Sequence, residues 1–553
     1  MLSSLEAAKE PREGRPGAKI VFINPLPEVG AFHFKDPQQL KNPLRAPGII
    51  FGSGAKLSDL WLPIRINGDI AFLRGLMKEM LAAEEKAPGT VFDHEFIRGY
   101  TVGYEALISA IKATSWEEIV EGSGLTREQI REAAEIAIRA KRIICCWAMG
   151  LTQQHNGVGS IQEVMNFLLL GGNIGKPGAG PCPVRGHSNV QGDRTMGIWE
   201  RMNDQFMKKL GAEFQFTPPE KHGVDTVEAI RQMHAGQVRI FFALGGNFLA
   251  ATPDTEYTAR ALSRCRLTAH VSTKLNRSHL ITGELALILP CLGRSEIDRQ
   301  AEGEQFVTVE DSMGIINPSR GLFEPASGHL QSEPAIVAGL ARATLGSRSA
   351  VNWEALVANY DRIREHIEQV VPGFERFNAR IREDIFYLPN DARDRRKFNN
   401  AVGKAQFLVH PLPVNEVAPG RYVMMTIRSH DQFNTHIYGL DDRYRGIYNG
   451  RRVIFMNAED IRAAGLQAGQ PVDLTSHFAG DEDRKAPNFL VTPYDIPRGC
   501  PATYFPEGNV LVPVNSVADR SNTPTSKYVI ISIAPAAHPE EAARAILEEA
   551  AMK

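Results

Sequence analysis

The sequence predicts an α/β protein: several Rossmann-like α/β domains with parallel sheets, followed by a C-terminal β-barrel domain. Three observations lead there. The chain has 553 residues, too many for one hydrophobic core, so about three or four domains are expected. Over the first part, helical runs alternate with short apolar runs, the pattern of parallel sheets covered on both faces. From about residue 405 the helical period gives way to strands separated by turn residues.

The elements follow in order. Residues 3–10 read as a short helix and 19–24 as a buried strand, which Pro25 and Pro27 stop. An irregular Pro/Gly-rich stretch then runs to about residue 56. Asp69 is placed to cap a helix over IAFLRGLMKEMLAAEE. Further helices are expected near 92–99, 104–112, 115–122 and 126–141, then the strand RIICCWAMG and a helix at 161–170. A second α/β stretch starts near Val224, with a helix at 227–234, strand RIFFALGGN, a helix at 254–264, and strands LTAHVST and LALILP. Residues 331–346 and 353–370 look like amphipathic helices, and the polar stretch 372–404 like a linker. RYVMMTIRS, RVIFMN, QPVDLTS and NFLVTPY then read as strands interrupted by one helix, AEDIRAAGL, and 538–552 as a helical tail. The domains expected from this are 1–187, 188–325, 326–404 and 405–553.

Composition excludes several classes. The net charge is -2, with 43% hydrophobic and 23% charged residues, so no basic field points to nucleic acid. Charge is spread evenly, and no run nears the roughly 18 apolar residues of a membrane span. The N-terminus has no apolar h-region, so it is not a secretory signal. Six cysteines are scattered with no C-x-x-C pair, so this chain carries no zinc or iron–sulfur signature. Cys145 and Cys146 sit in the apolar run IICCWAMG and read as buried strand thiols. This usage fits a reducing cytoplasm.

Chemistry concentrates in five stretches. The first is LGGNIGKPGAGPCPVRGHSNVQGDRTMGI, residues 170–198. Its glycines let a backbone approach a ligand, its amides offer donors and acceptors, and Arg185 offers a planar fork for an anion. A flexible surface loop is the alternative, but such loops lack this density of Asn, Gln and Arg. CWAMGLTQQ, residues 146–154, ends a strand in polar residues, where open α/β sheets bind ligands, though a plain strand-to-helix turn would look the same. FFALGGNFLAATPDT, residues 241–255, runs a strand into two glycines but lacks both phosphate-loop and G-x-G-x-x-G spacing. TIRSHDQFNT (426–435) and SNTPTSKY (521–528) are individually unspecific.

Together, and in the order INPLP, INGD, WAMGLTQ, GNIGKPGAG, PVRGHSNVQGDR, ALGGN, ILPCLG, RSHDQFNT and NTPTSK, these motifs resemble the molybdopterin-dependent oxidoreductases. The likeness is to the formate dehydrogenase alpha-subunit-like group, in its acid-resistance-associated branch. It covers nearly the whole chain and implies a double-psi-like barrel at the C-terminus. It implies two molybdopterin guanine dinucleotides holding one molybdenum, with tungsten an open alternative. It places Asn24, Pro25, Gly68 and Asp69 near one guanosine, and Met149, Gly150, Gln153 and Gly186 at the pterin–metal region. Gly245, Asn247, Thr273 and Asn276 would serve the second nucleotide, although STKLNRS lacks the acidic residue usual there. Arg428, Ser429, Gln432, Asn434, Asn509 and Lys527 would clasp the pterins and phosphates. Arg185 matches the arginine that holds the substrate carboxylate, and His187 stands where formate dehydrogenases usually carry glutamine. A histidine there could manage a proton near neutral pH.

The resemblance also sets what the chain lacks. Family members carry N-terminal cysteines for a [4Fe-4S] cluster and a cysteine or selenocysteine that ligates molybdenum. Neither is present here, and the family pattern does not make Cys182 the ligand, so no metal ligand is assigned. The expectation is a truncated, split or mis-started gene product. The function expected is electron transfer between a small anion, formate or similar, and a redox partner protein. The alternative is a catalytically inactive cofactor-binding remnant or scaffold.

Overall fold

The computed structural model describes residues 2–11, 16–43, 46–415 and 417–541. Tertiary contacts divide the chain into two compact units. The first comprises Met1–Cys145, Met149–Pro181 and Arg396–Lys553, the second Cys146–Ala148 and Cys182–Arg395. The fold is mixed α/β with parallel sheets and a closed six-stranded barrel near the C-terminus. No described helix is long and apolar enough to cross a membrane.

In the first unit the helix Asp69–Lys86 is apolar over most of its circumference, with Ile70, Phe72, Leu73, Leu76, Met77 and Met80 all buried. It packs against the helices Trp116–Ser123, Arg127–Arg139 and Gly157–Leu170. Ser115 and Thr126 open two of these with capping boxes. Arg74 and Glu163 form a fully buried ion pair at 3.0 Å. Arg74 also donates to the His410 carbonyl, and Asn166 links Glu163 to the Leu408 carbonyl, so the returning chain is bonded to the helical layer. Asp69 is the first helical residue and Gly68 the cap, with no side-chain cap bond. The expected capping role of Asp69 is therefore corrected.

The barrel runs in the order Arg421–Ile427, Ala502–Tyr504, Val453–Met456, Arg484–Pro493, Pro471–Ser476 and Val529–Pro535, and closes back onto Arg421–Ile427. Two of its pairings are parallel and the rest antiparallel. The run YVMMTI, apolar except for Thr426, follows from burial on both faces. Met424 enters the barrel core with Phe489, Leu474 and Ile531. Val423, Met425 and Ile427 turn outward onto Leu26, Ile66 and Tyr504.

The turn after the strand Val21–Ile23 is tied to the barrel by charge. Arg445 binds both Glu28 oxygens at 2.7 and 2.8 Å and Asp442 at 2.8 Å. Tyr504 donates to Asp442 at 2.8 Å. His430 Nδ1 lies 2.9 Å from Asp442, and its Nε2 lies 3.3 Å from Glu28. Burial disfavours the charged carboxyl of Asp442, but bonds from His430 and Tyr504 and the Arg445 charge outweigh it and hold the group well below the usual range. Burial likewise lowers His430, yet the two carboxylates prevail and raise it to about 9.

The second unit carries a parallel sheet of Ile240–Leu244, Leu267–Ser272 and Leu285–Pro290, with Leu267–Ser272 in the centre. Two expectations fail here. The helix at 353–370 is two helices, Trp353–Ala358 and Asp361–Val370, because the chain breaks to bury Tyr360, whose hydroxyl bonds Ser332 and Asp298. The stretch 372–404 is no linker over its first half, since Phe374, Phe377 and Ile381 pack with Ile316 and Val370 as a core. Two antiparallel pairs between Asp298 and Ser319 were not anticipated. The Pro/Gly-rich stretch before residue 56 holds short helices at Val29–Phe32 and Ala46–Phe51. Cys146 is exposed rather than buried, and Cys145 is half-buried with its thiol pushed up to about 12. The tail expected at 538–552 lies, beyond 541, outside the described residues.

His430 gives a pH-dependent test. A histidine raised from 6.5 to about 9 contributes stability that is complete below pH 6.5 and lost as pH rises through about 9. His430→Ala should cost about 3–5 kcal/mol at pH 6, by leaving a carboxylate of a buried cluster uncompensated. Thermal unfolding of both proteins from pH 5.5 to 9.5 should show the gap closing at the alkaline end. A gap that widens with pH would contradict the assignment.

Candidate functional site

At the barrel edge two cations are set side by side. Arg428 directly follows the strand Arg421–Ile427, and Lys527 stands two residues before its antiparallel partner Val529–Pro535. Thr426 N–H donates to the Ser526 carbonyl at 3.0 Å, and the Lys527 ammonium donates to the Thr426 carbonyl. Burial and the neighbouring Arg428 charge lower Lys527 to about 8, partly offset by Glu28. Arg428 is itself shifted down by desolvation, and its guanidinium lies 5.7 Å over the Phe505 ring. Two desolvated like charges are unfavourable unless an anion joins them.

The loop around them is braced from behind. Arg451, buried, donates to Ser429 Oγ at 2.7 Å, Gln432 Oε1 at 3.0 Å and the Phe505 carbonyl at 2.9 Å, and pairs with Glu507 at 2.8 Å. Gln432 in turn donates to the Asn434 and Phe505 carbonyls and accepts from Ser429 N–H. Ser429 and Gln432 are thus occupied inside the loop and act as its frame. Asn434 and Asn509 are buried, Asn434 in the left-handed region at φ 50. Arg445 donates to the Arg428 carbonyl at 2.9 Å, so the charged cluster at Glu28 also fixes Arg428.

The same unit brings the Met149–Asn156 segment to this edge, since Lys527 N–H donates to the Gln153 carbonyl at 3.0 Å. Met149 is exposed and Gln153 half-buried, with the Gln153 amide 3.7 Å from the Met149 sulfur. The adjacent Gln154 is buried and faces Asp69 at 3.5 Å. Burial raises the Asp69 carboxyl to about 6, with Gln154 opposing. Gln154 Oε1, Asn156 Oδ1 and Asn67 Oδ1 are buried acceptors without a hydrogen-bond partner, which a polar ligand would satisfy. Asn24 spends its amide on the Leu26 carbonyl and so shapes the Asn-Pro-Leu turn. Gly68 is required by packing: a Cβ there would lie 2.9 Å from the Ser123 Cα. No neighbour crowds Gly150 or Gly186.

In the second unit the loops after Ile240–Leu244 and Leu267–Ser272 meet at the carboxyl end of the sheet. Gly245 and Gly246 both have positive φ, at 73 and 78. Asn276 donates to the Gly246 carbonyl at 3.0 Å, and Ser278 donates to Asn247 at 2.9 Å. Thr273 is exposed at the strand end. This is where open α/β sheets hold ligands. Also in this unit, Arg185 is exposed, with its guanidinium held by Gln191 through Nε and Nη2 at 3.2 and 3.0 Å. Asn189, at φ 71, accepts from the Glu310 N–H at 3.0 Å. Glu310 is a buried carboxyl raised by desolvation, with the Arg185 charge partly offsetting it. His187 is exposed.

The predicted residues therefore gather in two sets. Asn24, Pro25, Gly68, Asp69, Met149, Gly150, Gln153 and the six barrel residues lie in the first unit. Arg185, Gly186, His187, Gly245, Asn247, Thr273 and Asn276 lie in the second. Gln154, Asn156, Glu310 and the supports Arg451 and Arg445 were missed. Only the amide doublet Gln153–Gln154 carried a signal, and the buried member is the second.

Residues 422–531, the closed barrel and its edge loops, match the Molydopterin dinucleotide binding domain. An uncharacterised oxidoreductase of Mycobacterium tuberculosis is 48% identical over 542 residues, 97% of this chain and 68% of that protein. The chain belongs to the molybdopterin oxidoreductase family. The F420-dependent formate dehydrogenase subunit alpha of Methanocaldococcus jannaschii is 29% identical over 213 residues, 38% of this chain and 31% of that one. Among solved structures, acetylene hydratase from Pelobacter acetylenicus shares the fold with a TM-score of 0.61 at 13% identity, over 94% of this chain and 74% of that chain.

The cation pair sets a second test. Binding of GDP, whose phosphates are ionised above about pH 7, should weaken above pH 8 as Lys527 loses its proton, by up to about tenfold per pH unit. Calorimetry on Lys527→Met should show weaker and pH-independent binding. An unchanged pH profile in that variant would remove Lys527 from the anion site.

Proposed function

We propose that this chain is the cofactor-binding body of a formate dehydrogenase-like molybdopterin oxidoreductase acting on a small anion, formate or a near relative. The observation that carries it is the pair Arg428 and Lys527, two desolvated cations beside buried amide oxygens without partners. That donor set fits the phosphates and heterocycle of a pterin dinucleotide. Arg428, Lys527, Asn434 and Asn509 would hold one dinucleotide, with Asp69, Gln154 and Asn156 toward its polar ring atoms. Gly245, Asn247, Thr273 and Asn276 would hold a second, giving a bis-molybdopterin guanine dinucleotide. The mixed parallel and antiparallel barrel agrees with a double-psi form.

When bound, molybdenum on the pterins supplies two-electron redox chemistry. The protein's own contribution is binding and orientation. Arg185 presents free N–H donors beyond those given to Gln191, and a guanidinium grips a carboxylate bidentately. His187 would take or return a proton beside it. Burial raises the Glu310 carboxyl and the nearby Arg185 charge opposes that rise, so the two groups are electrostatically linked. The printed name of the formate dehydrogenase relative supports formate as the first anion to assay. Electrons would pass to a redox partner protein.

In the holoenzyme, Arg185→Ala should lower formate-dependent dye reduction by at least about a hundredfold, about 3 kcal/mol of transition-state binding, while molybdenum content by mass spectrometry stays at the wild-type level. Retained activity would refute the role of Arg185. A wild-type protein with neither molybdenum nor pterin fluorescence would favour the inactive scaffold.

A further inference from the structure

Three sulfur atoms converge in the second unit. Cys146 and Cys182 lie on the paired strands Ile144–Trp147 and Gly180–Pro183. Val184 N–H donates to the Trp147 carbonyl at 2.7 Å just beyond them, which sets the two thiols side by side. The Cys146 thiol hydrogen-bonds the Cys182 sulfur. Cys182 Sγ lies 3.8 Å from Met313 Sδ. Cys146 is exposed, Cys182 half-buried, and Met313 is 47% exposed, so the group is open to solvent.

We propose that Cys146, Cys182 and Met313 form a binding site for a soft monovalent cation, copper(I). Two thiolates and a thioether are the donors that select this ion over hard or borderline metals. The spacing agrees. Metal–sulfur bonds of about 2.3 Å in a planar three-coordinate site hold sulfurs about 4 Å apart, against the 3.8 Å between Cys182 and Met313. Zinc would want a fourth nitrogen, sulfur or oxygen donor. Among the described residues no group of three or more His, Cys, Asp or Glu side chains could hold a metal, so the thioether decides the preference. The Asp311 carboxylate adds negative charge beside Cys182. On binding, two S–H bonds release their protons to solvent and two thiolate–copper bonds and one thioether–copper bond form. No electron is transferred.

The test is anaerobic titration of the reduced full chain with copper(I) against bicinchoninate, followed by X-ray absorption. One equivalent bound through sulfur alone is expected. Cys146→Ser or Cys182→Ser should abolish it, Met313→Leu should weaken it at least tenfold, and Cys145→Ala should leave it unchanged. Met313 is exposed, so its variant reads the site without disturbing the fold, which matching thermal unfolding will verify. No retained copper, copper held by nitrogen or oxygen, or full binding in the Cys146→Ser/Cys182→Ser double variant would each overturn the site. So would a Cys146–Cys182 disulfide recovered from freshly lysed cells in place of bound metal.

Discussion

Arg445 holds the first unit's ligand face together. Its guanidinium and the carboxylates of Glu28 and Asp442 meet almost out of water, with His430 as the second positive charge. Two anions and two cations balance, which is the condition for burying such a group at all. From this cluster one bond reaches the Arg428 carbonyl, and Glu28 is the last residue of the turn that begins at Asn24. The turn, the barrel loop and the position of Arg428 are therefore one mechanical object. Removing one partner from such a cluster costs about 3–5 kcal/mol, a large share of a domain's stability.

Four basic side chains lie near the barrel edge, and their partners separate structure from function. Arg445 has two carboxylates, and Arg451 has Glu507, a hydroxyl, an amide and a carbonyl. Arg428 is held over an aromatic ring, and Lys527 donates to a carbonyl. The first two are satisfied by the protein. The second two keep charge in a desolvated place with little internal compensation, a cost that a bound polyanion removes.

Much of this was legible in the sequence. The Asp69–Lys86 helix, the Ile240–Leu244 strand with its two glycines, and the barrel strands followed from period and turn residues. Arg428, Lys527, Asn247 and Asn276 were expected from motif order alone, and antiparallel pairing explains why Arg428 and Lys527, about a hundred positions apart, meet. What could not be read was the division of labour among polar residues. Ser429 and Gln432 look like ligand contacts in sequence, but Arg451, distant in the chain, claims them. Gln154 and Gln153 are indistinguishable in composition, and the turn between the helices Met149–Thr152 and Gly157–Leu170 decides which is buried. The break before Asp361 and the core at Phe374–Ile381 arise from tertiary burial of aromatic residues, which overrides a polar local average.

The central claim is that Arg428 and Lys527 are kept unneutralised to hold the phosphates of a pterin dinucleotide. The most direct measurement is the guanosine monophosphate released by acid from purified wild-type protein and from the Arg428→Gln/Lys527→Met double variant. The account predicts stoichiometric release from the wild type, a loss of at least half in the variant, and an unchanged barrel by circular dichroism. Equal release from both proteins would contradict it.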